Sequence, residues 1–191
     1  MSIEFLTKYN NKKNIRYESF EFTLKEALKR NLKNIVETGT SRGKIKFFFF
    51  RKLNWKDGMS TIIFSEYAKN NNGHLYTCDI SKENIASAKK FTKKFKKFIS
   101  YYIDDSINFL NNFSNKIDLL YLDSLDGHDE IAASKHQLKE IEVSINKLHD
   151  NSLVLLDDVG LKTNLSIEYL LQKGFLKIFE TQYQILFSRK N

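Results

Sequence analysis

Short apolar runs that alternate with stretches of helical periodicity constrain the fold of this 191-residue chain more than any other feature. The runs span residues 34–38, 74–79, 99–103, 117–123 and 152–157. Runs of this length predict buried strands, and strands that alternate with helices form a parallel sheet covered on both faces. The sequence therefore predicts an α/β fold with helices on both sides of one sheet.

The predicted helices cover residues 22–32, 61–70 and 130–148, and a further helix begins after Ser81, a residue suited to an N-cap. The helix over 130–148 is expected to direct four apolar side chains inward, namely Ile131, Leu138, Ile141 and Ile145. A helix over 166–173 ends at Gly174, and the runs 175–180 and 183–188 follow with two residues between them. So short a link permits a hairpin and excludes a parallel crossover. The sheet is therefore expected to have seven strands, mostly parallel, with one antiparallel strand from this C-terminal hairpin.

Length and composition indicate one domain over residues 1–191, with a helical N-terminal segment over 1–32. The sequence has no run of about 18 apolar residues, and its start lacks the basic and apolar regions of a signal peptide. Its single cysteine, Cys78, lies in an apolar run and is expected to be a buried thiol. We therefore expect a cytoplasmic protein without a membrane span.

A split turn follows the first predicted strand. The strand ends at Glu37-Thr38-Gly39, and Gly58-Met59-Ser60-Thr61 leads into the next predicted helix after an insert over residues 41–57. A strand that stops at a glycine and precedes a helix can bring backbone N–H groups close to a polar ligand. Asp79 closes the second strand, 21 residues after Gly58, where a carboxylate can accept two hydrogen bonds from the hydroxyls of a ribose.

These motifs together resemble those of the class I S-adenosylmethionine-dependent methyltransferases, whose sheet is Rossmann-like. The matching segments are the first strand with Gly39, the second-strand acid Asp79, residues 102–106, residues 117–123 and residues 153–159. The terminal hairpin favours this family over NAD-binding enzymes. The resemblance implies S-adenosylmethionine as cofactor and a contact set of Glu37, Thr38, Gly39, Gly58, Ser60, Thr61, Asp79, Ile80, Asp105, Ser106 and Asp123.

Three acids are expected to meet beside the cofactor. Asp123 ends the fourth strand and Asp157-Asp158 end the fifth, and these strands are neighbours in such a sheet. Like charges in one place demand a cation or protons, and hard oxygen ligands suit Mg²⁺. The pattern is similar to catechol O-methyltransferase and to the sugar methyltransferases related to cephalosporin hydroxylase. It implies a metal site at Asp123, Asp157 and Asp158, and catalytic roles for Asp123 and for His128 as base.

The insert over residues 41–57 combines six basic residues with five aromatic ones, within a chain of net charge +8. Such a segment can form a lid over the active site, bind phosphates and rings, or mediate a dimer contact. We favour the lid, because no known nucleic-acid-binding motif accompanies the insert. A homodimer and a nucleic-acid partner are kept as alternatives.

The sequence thus predicts O-methylation of a small hydroxylated acceptor, such as a sugar, by S-adenosylmethionine with help from a divalent ion. Two alternatives stay open at this point. One is a metal-independent methyltransferase that acts on RNA or protein, and the other is a protein that binds S-adenosylmethionine without turnover.

Overall fold

The computed structural model describes residues 3–47, 50–125 and 129–189, without the side chains of residues 44–47, 50–52 and 57. The strands are β1 (Asn34–Thr38), β2 (Lys44–Phe47), β3 (Phe50–Leu53), β4 (His74–Asp79), β5 (Ile99–Ile103), β6 (Ile117–Leu122), β7 (Leu148–Asp157), β8 (Phe175–Glu180) and β9 (Gln184–Arg189). The α-helices are α1 (Tyr17–Lys29), α2 (Ser60–Asn70), α3 (Lys82–Phe91), α4 (Ser106–Asn112), α5 (Glu130–Ser144) and α6 (Asn164–Gln172). Short 3-10 helices span Glu4–Tyr9, Trp55–Asp57, Lys93–Phe98, Ile145–Lys147 and Leu161–Thr163.

Seven strands form one sheet in the order β5-β4-β1-β6-β7-β9-β8. The pairs β5–β4, β4–β1, β1–β6 and β6–β7 are parallel, whereas β9 is antiparallel to both β7 and β8. The prediction of a mostly parallel seven-stranded sheet with one antiparallel strand is confirmed. The carboxyl ends of β4, β1, β6 and β7 consequently lie next to one another along one edge.

The core lies on both faces of this sheet, because alternate residues of a strand point to opposite sides. In β1, Ile35 packs on one face with Phe20 of α1 and Ile63 of α2. The next residue, Val36, packs on the other face with Leu110 of α4 and, in the same cluster, with buried residues of α5 and α6. Cys78 is fully buried in this second cluster, as predicted. The sheet is therefore covered by helices on both sides.

Three local predictions differ from the structure. The first α-helix begins at Tyr17 and ends at Lys29, whereas residues 22–32 were expected. The fifth strand was expected over residues 152–157, but β7 begins at Leu148. The register with β6 shifts near this start, and Ser152 Oγ donates to the carbonyl of Ile117 at 2.7 Å. Within α5, Ile141 is buried as predicted but Ile131 is 71% exposed.

The insert forms an antiparallel β2–β3 hairpin followed by a short 3-10 helix at Trp55–Asp57. Its two ends are held together by a bond from the backbone N–H of Asn54 to the carbonyl of Gly43, at 3.0 Å. The hairpin pairs with no strand of the seven-stranded sheet. No helix among the described residues is long and apolar enough to cross a membrane.

Candidate active site

A polar cleft opens at the sheet edge where β1, β4 and β6 end. Its lining includes Gly39, Thr40, Asp79, Asn84, Asp123 and Ser124. The cleft encloses about 90 Å³, which is below the roughly 300 Å³ at which ligand pockets begin. A nucleoside-sized ligand would therefore lie partly along the open side of the cleft.

Gly39 brings the loops after β1 and β6 into direct contact. Its φ is +80°, and a Cβ atom placed on it would lie 1.9 Å from the carbonyl oxygen of Asp123. Its N–H donates to the carbonyl of Cys78 at 2.9 Å, and the N–H of Asp123 donates to the carbonyl of Thr38 at 2.9 Å. Both the left-handed backbone and the close approach require glycine here.

The two halves of the split turn meet through reciprocal hydrogen bonds. The N–H of Ser41 donates to Thr61 Oγ1 at 2.8 Å, and the N–H of Thr61 donates to Ser41 Oγ at 3.3 Å. Ser60 and Thr61 are buried, and Gly58, with φ +70°, faces Arg16 and a ring of the core. None of these three is among the described residues that line the cleft, and their predicted cofactor contacts stay predictions.

Glu37 is fully buried beneath the cleft. Its Oε2 accepts hydrogen bonds from Thr61 Oγ1 at 2.8 Å and Thr77 Oγ1 at 2.6 Å. Burial raises the pKa of Glu37 to about 7, against the lowering effect of its hydroxyl partners. Its other oxygen, Oε1, has no hydrogen-bond partner among the described residues. Oε1 is buried and Glu37 does not itself line the cleft, so a ligand group would have to reach below the cleft floor to bond to it.

Asp79 is held rigidly at the rim of the cleft. One oxygen accepts from the N–H of Thr40 at 3.1 Å, the other accepts from the N–H of Ser81 at 2.8 Å, and the amide of Asn84 contacts both oxygens. Ile80, the next residue, is 75% exposed. The rim thus presents a fixed carboxylate beside an exposed apolar side chain, a combination suited to the sugar and base of a nucleoside.

Asp105 and Ser106 begin α4, a helix that the sequence analysis did not predict. Asp105 is its N-cap, because its Oδ1 accepts from the N–H groups of Ile107 and Asn108 at 3.0 and 3.1 Å. Ser106 is buried and its hydroxyl hydrogen-bonds to Nε2 of His136 at 2.9 Å. Both side chains therefore have structural partners, and their predicted contacts with the cofactor stay predictions.

The structure brings the three predicted acids together. One carboxylate oxygen from each of Asp123, Asp157 and Asp158 lies within 4.8 Å of the others. Two basic side chains also reach this cluster. Arg16 donates to both oxygens of Asp157 at 2.6 Å and to Asp158 at 2.9 Å, and Lys162 lies 3.1 Å from Asp158 and 3.7 Å from Asp123.

Neutral side chains complete this network. The hydroxyl of Tyr121 donates to Asp123 Oδ2 at 3.3 Å and accepts from the amide of Gln184 at 3.2 Å. The same amide donates to Asp157 Oδ1 at 2.7 Å. We call these seven residues the ionic network: Arg16, Tyr121, Asp123, Asp157, Asp158, Lys162 and Gln184. Both oxygens of its central carboxylate, Asp157, are thus occupied by protein donors.

Two neighbouring carboxyl groups of the ionic network, Asp123 and Asp157, have opposite pKa shifts. Burial and the neighbouring charge of Asp157 raise the pKa of Asp123 well above its usual value, although Lys162 opposes the shift. Burial would also raise the pKa of Asp157, but its ion pair with Arg16 outweighs this and lowers it. Asp123 lines the cleft with 25% of its side chain exposed, whereas Asp157 is buried. Asp123, the partly exposed carboxylate, is therefore a stronger base than the buried Asp157.

Sequence reasoning missed Arg16, Lys162 and Gln184. Lys162 follows Asp158 by four residues, a spacing that permits contact within one helical turn. No comparable local signal identifies Arg16, which lies 141 residues from Asp157. The predicted base His128 lies outside the described residues.

Comparison with known proteins identifies the family of this chain. The profile of a family described as a methyltransferase domain matches residues 55–159. No curated protein matches the sequence significantly.

Several solved structures share the fold at low sequence identity. The methyltransferase PaMTH1 of Podospora anserina, solved with bound S-adenosylhomocysteine, has a TM-score of 0.67 at 13% identity, covering 99% of this chain and 86% of its own. An rRNA methylase from Streptococcus thermophilus has a TM-score of 0.64 at 10% identity, covering 92% and 96%. A protein of Streptococcus mutans in complex with S-adenosylhomocysteine has a TM-score of 0.63 at 10% identity, covering 89% and 97%. At these identities the likeness establishes the fold.

Proposed function

Because this chain belongs to the methyltransferase domain family, it is an S-adenosylmethionine-dependent methyltransferase, and we propose that it methylates a hydroxyl oxygen of a small acceptor. In this proposal Asp123 takes the proton of the acceptor hydroxyl. The observation that carries it is the position of Asp123, a carboxyl group of raised pKa that lines the cleft.

The residues of the cleft fit S-adenosylmethionine, which supplies a methyl group on a sulfonium. The unpartnered Oε1 of Glu37 can accept a hydrogen bond from the amino acid part of the cofactor. Asp79 can accept hydrogen bonds from two ribose hydroxyls, and the exposed Ile80 can pack against the adenine. Gly39 keeps the floor of the cleft free of a side chain.

Asp123 is suited to accept a proton because a neutral hydroxyl is a poor nucleophile towards a methyl group. A general base works best when its pKa lies near the working pH, and an ordinary carboxylate is too weak a base for this role. Burial and the charge of Asp157 strengthen Asp123, while Lys162 stabilises its ionised form. Arg16 keeps Asp157 ionised, so that Asp157 sustains the raised pKa of its neighbour.

The three acids do not fit a divalent metal site in this arrangement. Both oxygens of Asp157 are bound by Arg16, and each oxygen of Asp158 has a basic partner, Arg16 or Lys162. A divalent ion at this position would lie against these two cations and would be repelled by them. The proposed mechanism therefore needs no metal, and the divalent ion expected from the sequence stays a prediction that a chelator can test.

The experiment measures transfer of a labelled methyl group from S-adenosylmethionine to a panel of sugars, sugar phosphates and nucleotides. Replacing Asp123→Asn should lower kcat by roughly 100- to 10,000-fold, the usual contribution of a general base. Calorimetry with S-adenosylhomocysteine on both proteins separates a loss of chemistry from a loss of cofactor binding, because Asp123 also lines the cleft. Glu168→Gln, on an exposed part of α6, is the matched control.

The pH profile of kcat/KM gives a second readout. Asp123 must be ionised to accept a proton, so activity should fall as the pH drops through its raised pKa. Replacing Lys162→Met removes a charge that lowers this pKa and should move the acidic limb to higher pH. Replacing Asp157→Asn removes a charge that raises it and should move the limb to lower pH. Shifts in the same direction would contradict the role of Asp123.

Other outcomes would support the alternatives. Label that appears in added RNA or protein would favour the second candidate acceptor class. Binding of S-adenosylhomocysteine without transfer to any acceptor would favour a protein that only binds the cofactor. If a chelator abolished activity and Mg²⁺ restored it, the reaction would require a divalent metal. A cytoplasmic location and a homodimer likewise stay predictions.

A further inference from the structure

A second and larger cavity lies outside the cofactor cleft. Its volume is about 890 Å³. The cavity is built from the loop before α1, the end of the insert and the turn between β8 and β9. We call this space the basic cavity. Its lining includes Lys12, Lys13, Ile15, Trp55, Lys56 and Tyr183.

The basic cavity combines positive charge with apolar and aromatic walls. Lys12, Lys13 and Lys56 supply three ammonium groups, whereas Trp55 and Tyr183 supply rings. Among the described residues that line it, none is acidic. Lysine binds phosphate as a point charge, and aromatic rings stack on the planar rings of ligands. The lining is thus complementary to an anion that also carries a ring.

Arg16 connects the basic cavity to the ionic network. Its Nη1 donates to the carbonyl of Lys56 at 2.8 Å, while the rest of its guanidinium binds Asp157 and Asp158. Tyr183 is joined to the same region, because its carbonyl accepts from the N–H of Val159 at 3.0 Å. One side of the basic cavity therefore adjoins the residues that hold Asp123 at the cleft.

We propose that the basic cavity binds the methyl acceptor and that the acceptor is a phosphorylated, hydroxyl-bearing ring compound about the size of one nucleotide. This inference rests on the proposed function, because it assigns the acceptor of the same active site. The phosphate contacts Lys12, Lys13 and Lys56, and the ring lies against Trp55 and Tyr183.

The size of the basic cavity supports a single small molecule. Its 890 Å³ lies within the roughly 300–1,000 Å³ of pockets that enclose compounds of this size. A polymer would instead require phosphate contacts that continue along an extended groove. Free nucleotide and RNA share the chemistry that the cavity recognises, so the test includes both.

Trp55 makes binding measurable without knowledge of the natural acceptor. It is the only tryptophan of the chain, so its fluorescence reports on this cavity alone. Uridine 5′-monophosphate, uridine, inorganic phosphate and hexauridylate are each titrated into the full-length protein. The double variant Lys12→Ala/Lys56→Ala is compared with Lys90→Ala, which removes an exposed lysine of α3. Binding of S-adenosylhomocysteine is measured by calorimetry on every variant.

The expected result is a saturable change in Trp55 fluorescence with uridine 5′-monophosphate. Uridine should bind at least about tenfold more weakly, because it lacks the charge-assisted contacts of the phosphate. The double variant should lose about tenfold in affinity for the monophosphate, and Lys90→Ala should equal wild type. Affinity for the monophosphate should fall as salt concentration rises.

Three results would overturn the inference. They are equal affinities for uridine and its monophosphate, unchanged affinity in the double variant, and far tighter binding of hexauridylate than of the monophosphate. If either of the first two occurs while S-adenosylhomocysteine still binds, the proposed function stands and only the acceptor assignment fails. Far tighter binding of hexauridylate would instead favour an RNA acceptor over a small molecule. Loss of S-adenosylhomocysteine binding in wild type would instead contradict the proposed function itself.

Discussion

The effect of a single residue on stability depends on the atoms around it, as two glycines illustrate. Gly39 and Gly174 both have φ of +80°. A Cβ on Gly39 would lie 1.9 Å from a backbone oxygen, whereas a Cβ on Gly174 would meet no atom within 4 Å. The same backbone conformation is therefore a steric requirement at Gly39 and only a conformational preference at Gly174.

This contrast gives a prediction for two alanine variants. Gly39→Ala should destabilise the protein by roughly 2–5 kcal/mol, because left-handed strain and overpacking add together. Gly174→Ala should lose only about 1–2 kcal/mol from left-handed strain. Urea unfolding of both variants measures the difference. Equal losses would mean that the loops after β1 and β6 can separate without cost.

Acidic residues show the same dependence on surroundings. Burial raises the pKa of Glu37 to about 7, and burial together with a neighbouring carboxylate raises the pKa of Asp123. Asp157 is also buried, yet its pKa is lowered because Arg16 binds both of its oxygens. Residue type alone therefore does not assign chemical roles to these acids, whereas their partners do.

At the scale of elements, the β2–β3 hairpin is an addition to a turn that closes without it. Ser41 and Thr61 hydrogen-bond to each other on the sheet side of the hairpin, and Gly43 and Asn54 close its base. The cofactor cleft is lined by residues that precede the hairpin or lie on other elements. The hairpin is therefore not needed to line the cleft, and the lid expected from the sequence stays a prediction.

Deletion of the hairpin should separate cofactor binding from acceptor use. Replacing residues 44–53 with one glycine should leave the affinity for S-adenosylhomocysteine within about threefold, because the Ser41–Thr61 contacts persist. Methyl transfer should fall by more than about tenfold, since the deletion takes Leu53 from the lining of the basic cavity and removes the hairpin that precedes Trp55 and Lys56. Calorimetry and the labelled-methyl assay measure the two effects. Loss of S-adenosylhomocysteine binding would show instead that the hairpin belongs to the cofactor site.

Helix α5 was located correctly, but one of its predicted inward residues, Ile131, is exposed. Its range was predicted to within a few residues, but its buried face includes Ser134, Gln137 and Glu140 as well as Ile141. Reading apolar residues as the inner face placed Ile131 inside, where the structure exposes it. The spacing of apolar residues identifies the buried face of a helix only when that face is apolar. The buried face of α5 is largely polar, so the spacing misplaced Ile131.

At the scale of the whole molecule, Arg16 joins the N-terminal segment to the end of β7. It is 12% exposed and binds Asp157, which has no exposed side-chain surface. Removing one partner of such a pair leaves the other charge buried and uncompensated. The ion pair therefore fixes the approach of the N-terminal segment to the active site.

A double-mutant cycle on this pair tests the point. Arg16→Met should destabilise the protein by about 3–5 kcal/mol, and Arg16→Met/Asp157→Asn should lose less than the sum of the single variants. Lys177→Met, which breaks the exposed pair with Glu180, should cost less than about 1 kcal/mol. Urea unfolding measures each variant, and additive losses would contradict a coupled pair.

The stability from this pair should also depend on pH. Because the folded-state pKa of Asp157 is lowered, the stabilisation is present above its ordinary value of 3.8 and is lost as the pH falls through the folded-state value. In Asp157→Asn this part of the acid sensitivity should be absent.

The sequence by itself determined the sheet, its terminal hairpin, the glycine at the end of β1 and the acids at the ends of β4, β6 and β7. These features are local, because apolar periodicity, turn residues and strand ends are encoded within a few neighbouring positions. Parallel order then brings the strand ends to one edge.

Only the tertiary structure decided what those acids do. It supplied Arg16 and Lys162 as their counterions, gave Asp123 and Asp157 opposite pKa shifts, and formed the basic cavity from three distant segments. The Arg16–Asp157 ion pair and the basic cavity depend on distances between residues that packing brings together, and no spacing along the chain encodes those distances.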